Sequence, residues 1–194
     1  MLEWMVAGTR WRVGVPFLAL LAAALTLDQS GTAAMCMLAS FLHESGHIAA
    51  LLLFGRFPRE VTVGVCGIRL VPDGRPLGYR REALMLLAGP FVNLALVAFL
   101  IAVNGRIEAV AAHLVLGIFN LLPVEALDGG QALRCLLLLR MSDPKASRAV
   151  RMVSVICLLP LATAGFFLLL QSGNITLLAV SLYLIARLFS HQRI

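Results

Sequence analysis

Charge is scarce in this chain. Only 13% of its 194 residues are charged, while 60% are hydrophobic. Soluble domains carry about a quarter charged and about half apolar residues, so this composition excludes an ordinary soluble domain and indicates a membrane protein. The four cysteines, Cys36, Cys66, Cys135 and Cys157, form no C-x-x-C pair and fall in separate segments. That excludes a disulfide framework or a cysteine-based zinc cluster, and they read as small apolar packing residues. The chain also lacks long linkers, low-complexity stretches and internal repeats, as expected of one membrane domain over residues 1–194. No A-x-A-like site follows the first apolar run, so the N-terminus reads as a short cytoplasmic lead and not a cleaved signal. The net charge is +6, yet no basic stripe interleaves with aromatics. Nucleic acid is therefore not an expected partner; the positive charge is a topology signal facing the lipid bilayer.

What is present is a series of apolar runs. Six candidate spans lie at 13–27, 33–54, 83–103, 108–127, 152–170 and 175–189. Several fall short of the roughly 20 residues that cross a hydrocarbon core. Fifteen of the 16 arginines and lysines lie on one side of a six-span arrangement, and only Arg106 lies on the other. The positive-inside rule then places both termini in the cytoplasm. The fold class expected is an all-α polytopic membrane protein of about six transmembrane helices. One segment departs from it: Val61 to Val71 is rich in β-branched residues and glycine, and Pro72-Asp73-Gly74 follows as a turn signal. It reads as a short β-hairpin after the second helix, either re-entrant at the interface or on the cytoplasmic face. Arg140 to Arg151 reads as a short polar connection.

Inside the second span stands His43-Glu44-Ser45-Gly46-His47, an H-E-x-x-H pattern. At about 100° per residue, a helix sets the two histidines on one face within about 40° of each other. That spacing suits a tetrahedral Zn²⁺, with Glu44 placed to take a proton from an activated water. Ionisable groups inside a span are costly, so their presence points to a function. A catalytic zinc has three protein ligands, and the third candidates in apolar surroundings are His113, Glu125 and Asp128. Asp128 is the best placed, because Pro123 and Gly129-Gly130 weaken helix geometry around it and an unwound end can aim a carboxylate sideways. His47 lies eight residues before Gly55, or about 12 Å of helix. Asp128 lies near the same end of span four, so the two can meet at one depth. His113, seven residues before Asn120, shares its face and reads as a packed or hydrogen-bonded histidine. Glu125 reads as solvated at the cytoplasmic mouth.

These residues carry a resemblance. H-E-x-x-H at 43–47, followed by Asn120-x-x-Pro123-x-x-x-Leu127-Asp128-Gly129, resembles the site-2 protease family of intramembrane zinc metalloproteases. Ala88-Gly89-Pro90-Phe91-Val92-Asn93 is similar to a further element of that family. The resemblance covers roughly residues 33–131, with flanking helices at 13–27, 152–170 and 175–189. The six-helix form is most similar to the bacterial sporulation-type branch, which releases a membrane-tethered transcription factor precursor. The resemblance implies Zn²⁺ held by His43, His47 and Asp128, Glu44 as general base, and Asn120 positioning the substrate backbone or its developing oxyanion. It also implies a membrane protein substrate unwound against the edge of the 61–71 segment, a membrane-bound regulatory protein as a further partner, and a place in the bacterial cell membrane. The chain departs from its relatives in carrying neither a nucleotide-sensing nor a PDZ domain, in having Ala126 where proline is common, and in the extra acid Glu125. These departures bear on regulation and substrate, not on the chemistry.

The alternatives are a metal or proton transporter and an inactive scaffold relative. A transporter needs acids and histidines spread along several helices as a relay. Here they cluster at one depth, with almost none in spans one, five and six. An inactive relative would not be expected to keep Glu44 and three ligands.

Overall fold

The computed structural model describes residues 1–6, 8–64, 67–72, 74 and 76–190. Cys66, Asp73, Arg75 and Arg193 lie outside the described residues. Among the described residues, seven helices form: α1 (Val15–Leu27), α2 (Thr32–Leu53), α3 (Tyr79–Ala102), α4 (Ile107–Leu121), α5 (Asp128–Leu137), α6 (Asp143–Ser172) and α7 (Thr176–Ser190). Three of them, α2, α3 and α6, are long and apolar enough to cross a membrane by length and composition; α1, α4 and α7 are shorter apolar helices. Large apolar side chains such as Phe41, Leu53, Phe91, Phe99 and Leu170 are exposed on the outside of the helices. In water such a surface would aggregate, and in lipid it is the solvated one.

Two expected boundaries move. The fourth span stops at Leu121, because Pro123 cannot continue a helix and disfavours helical geometry at Leu122. A loop over 122–127 follows, and a separate helix starts at Asp128. The sixth helix, α6, begins at Asp143 and not near 152, so most of the expected polar connection is helical. Pro144 fits its first turn. Ala146, Val150, Ser154 and Leu158 then form one buried stripe four residues apart, which extends the packing face into the polar segment.

The hairpin after α2 forms as β3 (Pro58–Gly64) and β4 (Gly67–Pro72), with Thr62 opposite Arg69. It belongs to a four-stranded sheet, because the N-terminal lead is also a hairpin: β1 (Leu2–Val6) and β2 (Thr9–Val13). β2 runs parallel to β3, with Trp11 opposite Val61. Arg12 explains part of this pairing. Its guanidinium lies 3.0 Å from Glu3 on β1 and 2.9 Å from Glu60 on β3. Cross-strand ion pairs of this kind favour one register. The Thr9 hydroxyl donates to Pro58 O at 2.6 Å, tying the two hairpins at their other end.

α2 packs along α3, α3 along α4, and α5 wedges against α3, where Ala83, Ala132 and Cys135 form a small buried cluster. α6 and α7 pair as a hairpin and bury Leu158, Leu184 and Leu188 against Val124 of the 122–127 loop. α1 buries no residue of its own. Cys135 packs as expected, Cys157 is half-buried, and Cys36 lies on the exposed surface of α2, so the packing expectation fails there.

Candidate metal centre

The buried stripe of α2 reads Ala39, His43, Gly46, His47 and Leu51, a period set by helix geometry. Both histidines are almost fully enclosed, at 5% and 6% exposure. Gly46 lets α2 approach α3 closely: a Cβ there would lie 2.8 Å from Ala88 O and 2.9 Å from Val92 Cγ2. That proximity brings α3 backbone and side chains within reach of the imidazoles.

Asp128, the first residue of α5, is carried in by the 122–127 loop. The loop is held by Glu125 N–H donating to Ser154 Oγ at 2.8 Å and Leu127 N–H donating to Val124 O at 2.8 Å. Gly129 and Gly130 sit so close to the carbonyls of Leu121, Leu122 and Val124 that no side chain fits. The loop therefore closes on itself, and the carboxylate turns toward α2. Its position in the first turn of α5 also places negative charge at the positive end of the helix.

The result is a triangle of donor atoms. Asp128 Oδ2 is 2.9 Å from His43 Nε2 and 3.3 Å from His47 Nε2, and the two Nε2 atoms are 3.2 Å apart. Ligand atoms about 2.0–2.1 Å from a tetrahedral zinc lie roughly 3.3–3.4 Å apart, so the triangle is within a few tenths of an ångström of that geometry. Space beside it is kept open by Gly89 of α3. A Cβ there would lie 2.6 Å from His47 Cε1 and 2.9 Å from His43 Nε2, with His47 Nε2 closer still. A two-nitrogen, one-oxygen donor set beside a cradle that only glycine leaves open fits a divalent ion such as Zn²⁺.

The far side of each imidazole is also held. His47 Nδ1 lies 2.8 Å from Met85 O, an acceptor only, so His47 carries its proton on Nδ1 and turns the Nε2 lone pair toward the triangle. Pro90, inside α3, has no N–H to offer the carbonyl of Leu86, the residue after Met85. Asn93 Nδ2 lies 3.2 Å from His43 Nδ1, and Asn93 Oδ1 lies 3.1 Å from His113 Nδ1. Asn93 is completely buried. Its amide can present either end to His43 without changing shape. With the amide turned over, its oxygen toward His43 and its nitrogen toward His113, His43 carries its proton on Nδ1 and offers Nε2 to a metal.

Each residue singled out from the sequence has a definite place here. His43, His47 and Asp128 come together. Glu44 is half-buried beside His43 on the same helix. Asn120 is half-buried in the last turn of α4, its amide donating to Leu116 O at 3.0 Å. His113 is hydrogen-bonded to Asn93, as its place on the Asn120 face suggested. Glu125 is not simply solvated: it is half-buried, and its Oε2 has no hydrogen-bond partner among the described residues. Asn93 and Gly89 as supports of the histidines were not read from the sequence. The only signal was their place in the Ala88–Asn93 element.

Residues 108–161 match peptidase family M50. That stretch holds Asn120 and Asp128 but not the H-E-x-x-H helix. No curated protein matches the sequence. Among solved structures the chain is similar to the site-2 protease from Methanocaldococcus jannaschii, with a TM-score of 0.65 and 21% identity, over 100% of this chain and 95% of that one. At this identity the likeness establishes a shared fold. The family match covers the Asp128 half of the site, and the shared fold sets the α2 half, with His43 and His47, beside it.

Proposed function

We propose that the chain is an intramembrane zinc metalloendopeptidase acting on a peptide bond in or near a transmembrane segment of a membrane-tethered substrate. The observation that carries this reading is the donor triangle of His43, His47 and Asp128, with Glu44 beside it on an apolar helix. When bound, Zn²⁺ supplies Lewis acidity, bringing the pKa of water toward neutral and polarising a carbonyl. His43, His47 and Asp128 hold the ion. Glu44 takes a proton from the attacking water and passes it to the leaving amine. Asn120, in the last turn of α4, orients the scissile carbonyl or donates to the oxyanion that forms from it. A substrate helix must unwind first, because its carbonyls are otherwise satisfied internally. A strand edge of the β3–β4 hairpin offers such a segment new partners.

The finer reading rests on the sequence resemblance and the charge distribution. It is a single metalloprotease domain with both termini cytoplasmic, in a bacterial cell membrane. Its activity is regulated intramembrane proteolysis of a transcription factor precursor, of the sporulation type, under a membrane-bound regulator. The test is zinc per chain in detergent-purified protein, together with cleavage of a membrane-tethered substrate. The expected result is about one zinc in wild type, a large loss in Asp128→Ala, and full zinc without cleavage in Glu44→Gln. Wild type without zinc, where a control metalloprotein keeps its metal, overturns the metal centre. Cleavage by Glu44→Gln near the wild-type rate overturns the base. Metal flux into liposomes that survives Glu44→Gln replaces the protease reading with a transporter.

A further inference from the structure

On the other side of the 122–127 loop from the donor triangle lies a cavity of about 480 Å³. Arginines from three helices line it: Arg134 of α5, Arg151 of α6 and Arg187 of α7. Ser147 lines it too, its hydroxyl accepting from Arg134 and donating to Asp143, and Leu184 and Leu188 of the α6–α7 core form an apolar wall. Arg134 is held by Asp143 at 2.5 Å. Arg151 and Arg187 have no ion pair among the described residues, and Arg151 Nε is buried without a hydrogen-bond partner. The cavity's one carboxylate, Glu125, has a buried unpartnered oxygen of its own. So, with Arg134 already paired to Asp143, the cavity sets the guanidiniums of Arg151 and Arg187 against the one carboxylate of Glu125, in a bundle whose outer helix faces, at Ile156, Leu159 and Phe189, are exposed and apolar.

Guanidinium pairs recognise phosphate through parallel N–H donors, and basic pockets between transmembrane helices take anionic headgroups. We propose that this cavity binds a phosphate-bearing anion, carried on the headgroup of an anionic phospholipid or free in solution. Arg151 and Arg187 hold the phosphate oxygens, and the wall of Leu184 and Leu188 receives apolar atoms of the ligand. The bound group rests against Val124, Glu125 and Ala126, and so against the loop that carries Asp128. Occupancy therefore braces α5, α6 and α7 around that loop. The binding claim stands without the protease reading.

The test is native mass spectrometry of the full chain in nonionic detergent with equal phosphatidylglycerol and phosphatidylcholine. A titration with inorganic phosphate follows. Wild type is expected to retain phosphatidylglycerol selectively. Arg151→Gln and Arg187→Gln are expected to weaken it about five-fold each, and the pair roughly 25-fold. Arg10→Gln with Arg59→Gln, in the distant sheet, leaves retention unchanged. Glu125→Gln removes the competing carboxylate and tightens binding, a gain that misfolding cannot mimic. Lipid retained against millimolar phosphate identifies the headgroup as the source. Displacement by phosphate, with the same dependence on Arg151 and Arg187, identifies a soluble anion. Equal retention of both lipids, or binding of either source indifferent to the two arginines and to Glu125→Gln, overturns the proposal.

Discussion

The most discriminating substitution in the metal centre adds a single methyl group. Gly89→Ala removes no donor residue and changes no charge, yet its Cβ would sit 2.6 Å from His47 Cε1 and 2.9 Å from His43 Nε2. Ordinary contact between such atoms is about 3.5–4.0 Å, so the histidines or α3 must retreat by roughly 0.6–1 Å or more. Metal sites tolerate departures of about 0.2 Å in ligand distance. The displacement is several times larger, and the methyl also fills the cradle beside the Nε2 atoms. Overpacking in a close-packed interior adds about 1–3 kcal/mol of destabilisation.

The assay is zinc competition against a fluorescent chelator, run beside thermal unfolding with and without chelator. Metal that binds the folded state raises the unfolding temperature, by about 2.7 kcal/mol of stability at a concentration 100 times Kd. Chelation is therefore expected to lower Tm for wild type and to leave Gly89→Ala unmoved. Gly46→Ala is the comparison. Its Cβ would meet Ala88 O and Val92 on α3 without touching a donor atom, so it costs stability more than zinc affinity. If Gly89→Ala holds zinc with wild-type affinity and responds to chelator as wild type does, the open space beside the imidazoles is only helix packing. The argument for an ion there then fails.

Three further expectations follow from separate contacts. Asn93→Leu removes the amide that faces His43 Nδ1 and should weaken zinc binding by about 10–100-fold, while Asn93→Asp puts an acceptor there for an Nδ1 proton and restores most of it; equal affinities for both variants refute the assigned role. Ser154→Ala removes the acceptor for Glu125 N–H at a fully buried position, which should cost about 1–3 kcal/mol in thermal or denaturant unfolding; an unchanged unfolding curve shows the loop is anchored elsewhere. Burial, with the Glu82 charge beside it, pushes the Cys135 thiol up to about 11 from its ordinary value near 9. The folded state thus holds that proton more tightly than the unfolded state. Its contribution to stability is complete below pH 9 and is lost as pH rises toward 11. Maleimide should accordingly leave Cys135 unmodified at pH 8 until the protein unfolds, and rapid native labelling contradicts the burial.

How much of this was legible in the chain depends on how far apart the cooperating residues are. His43 and His47 were readable because four residues close one turn, and an apolar span has no structural use for them. The break before Asp128 was readable because Pro123 ends a helix wherever it falls and Gly129-Gly130 allow a tight return. The N-terminal hairpin was not. Thr9 to Val13 is a short, charged segment whose partner, β3, starts at Pro58, and nothing local records that Arg12 will meet Glu60. The early start of α6 was hidden by its polar first turns, although Ala146 and Val150 continue the spacing of Ser154 and Leu158.

The supports of the metal centre were illegible for a deeper reason. Asn93 is a satisfactory interhelical amide on any membrane helix, and His113 a satisfactory packed histidine. What makes them more is that α3 stands between α2 and α4 in space, so one amide spans from His43 Nδ1 to His113 Nδ1. A ligand's proton position is thus set by residues 50 and 70 positions away in the chain, on two other helices. The sequence pattern names which side chains have metal chemistry. Only the packing decides which of their nitrogens is free to use it, and the close approach of α2 to α3 at Gly46 and Gly89 makes that decision.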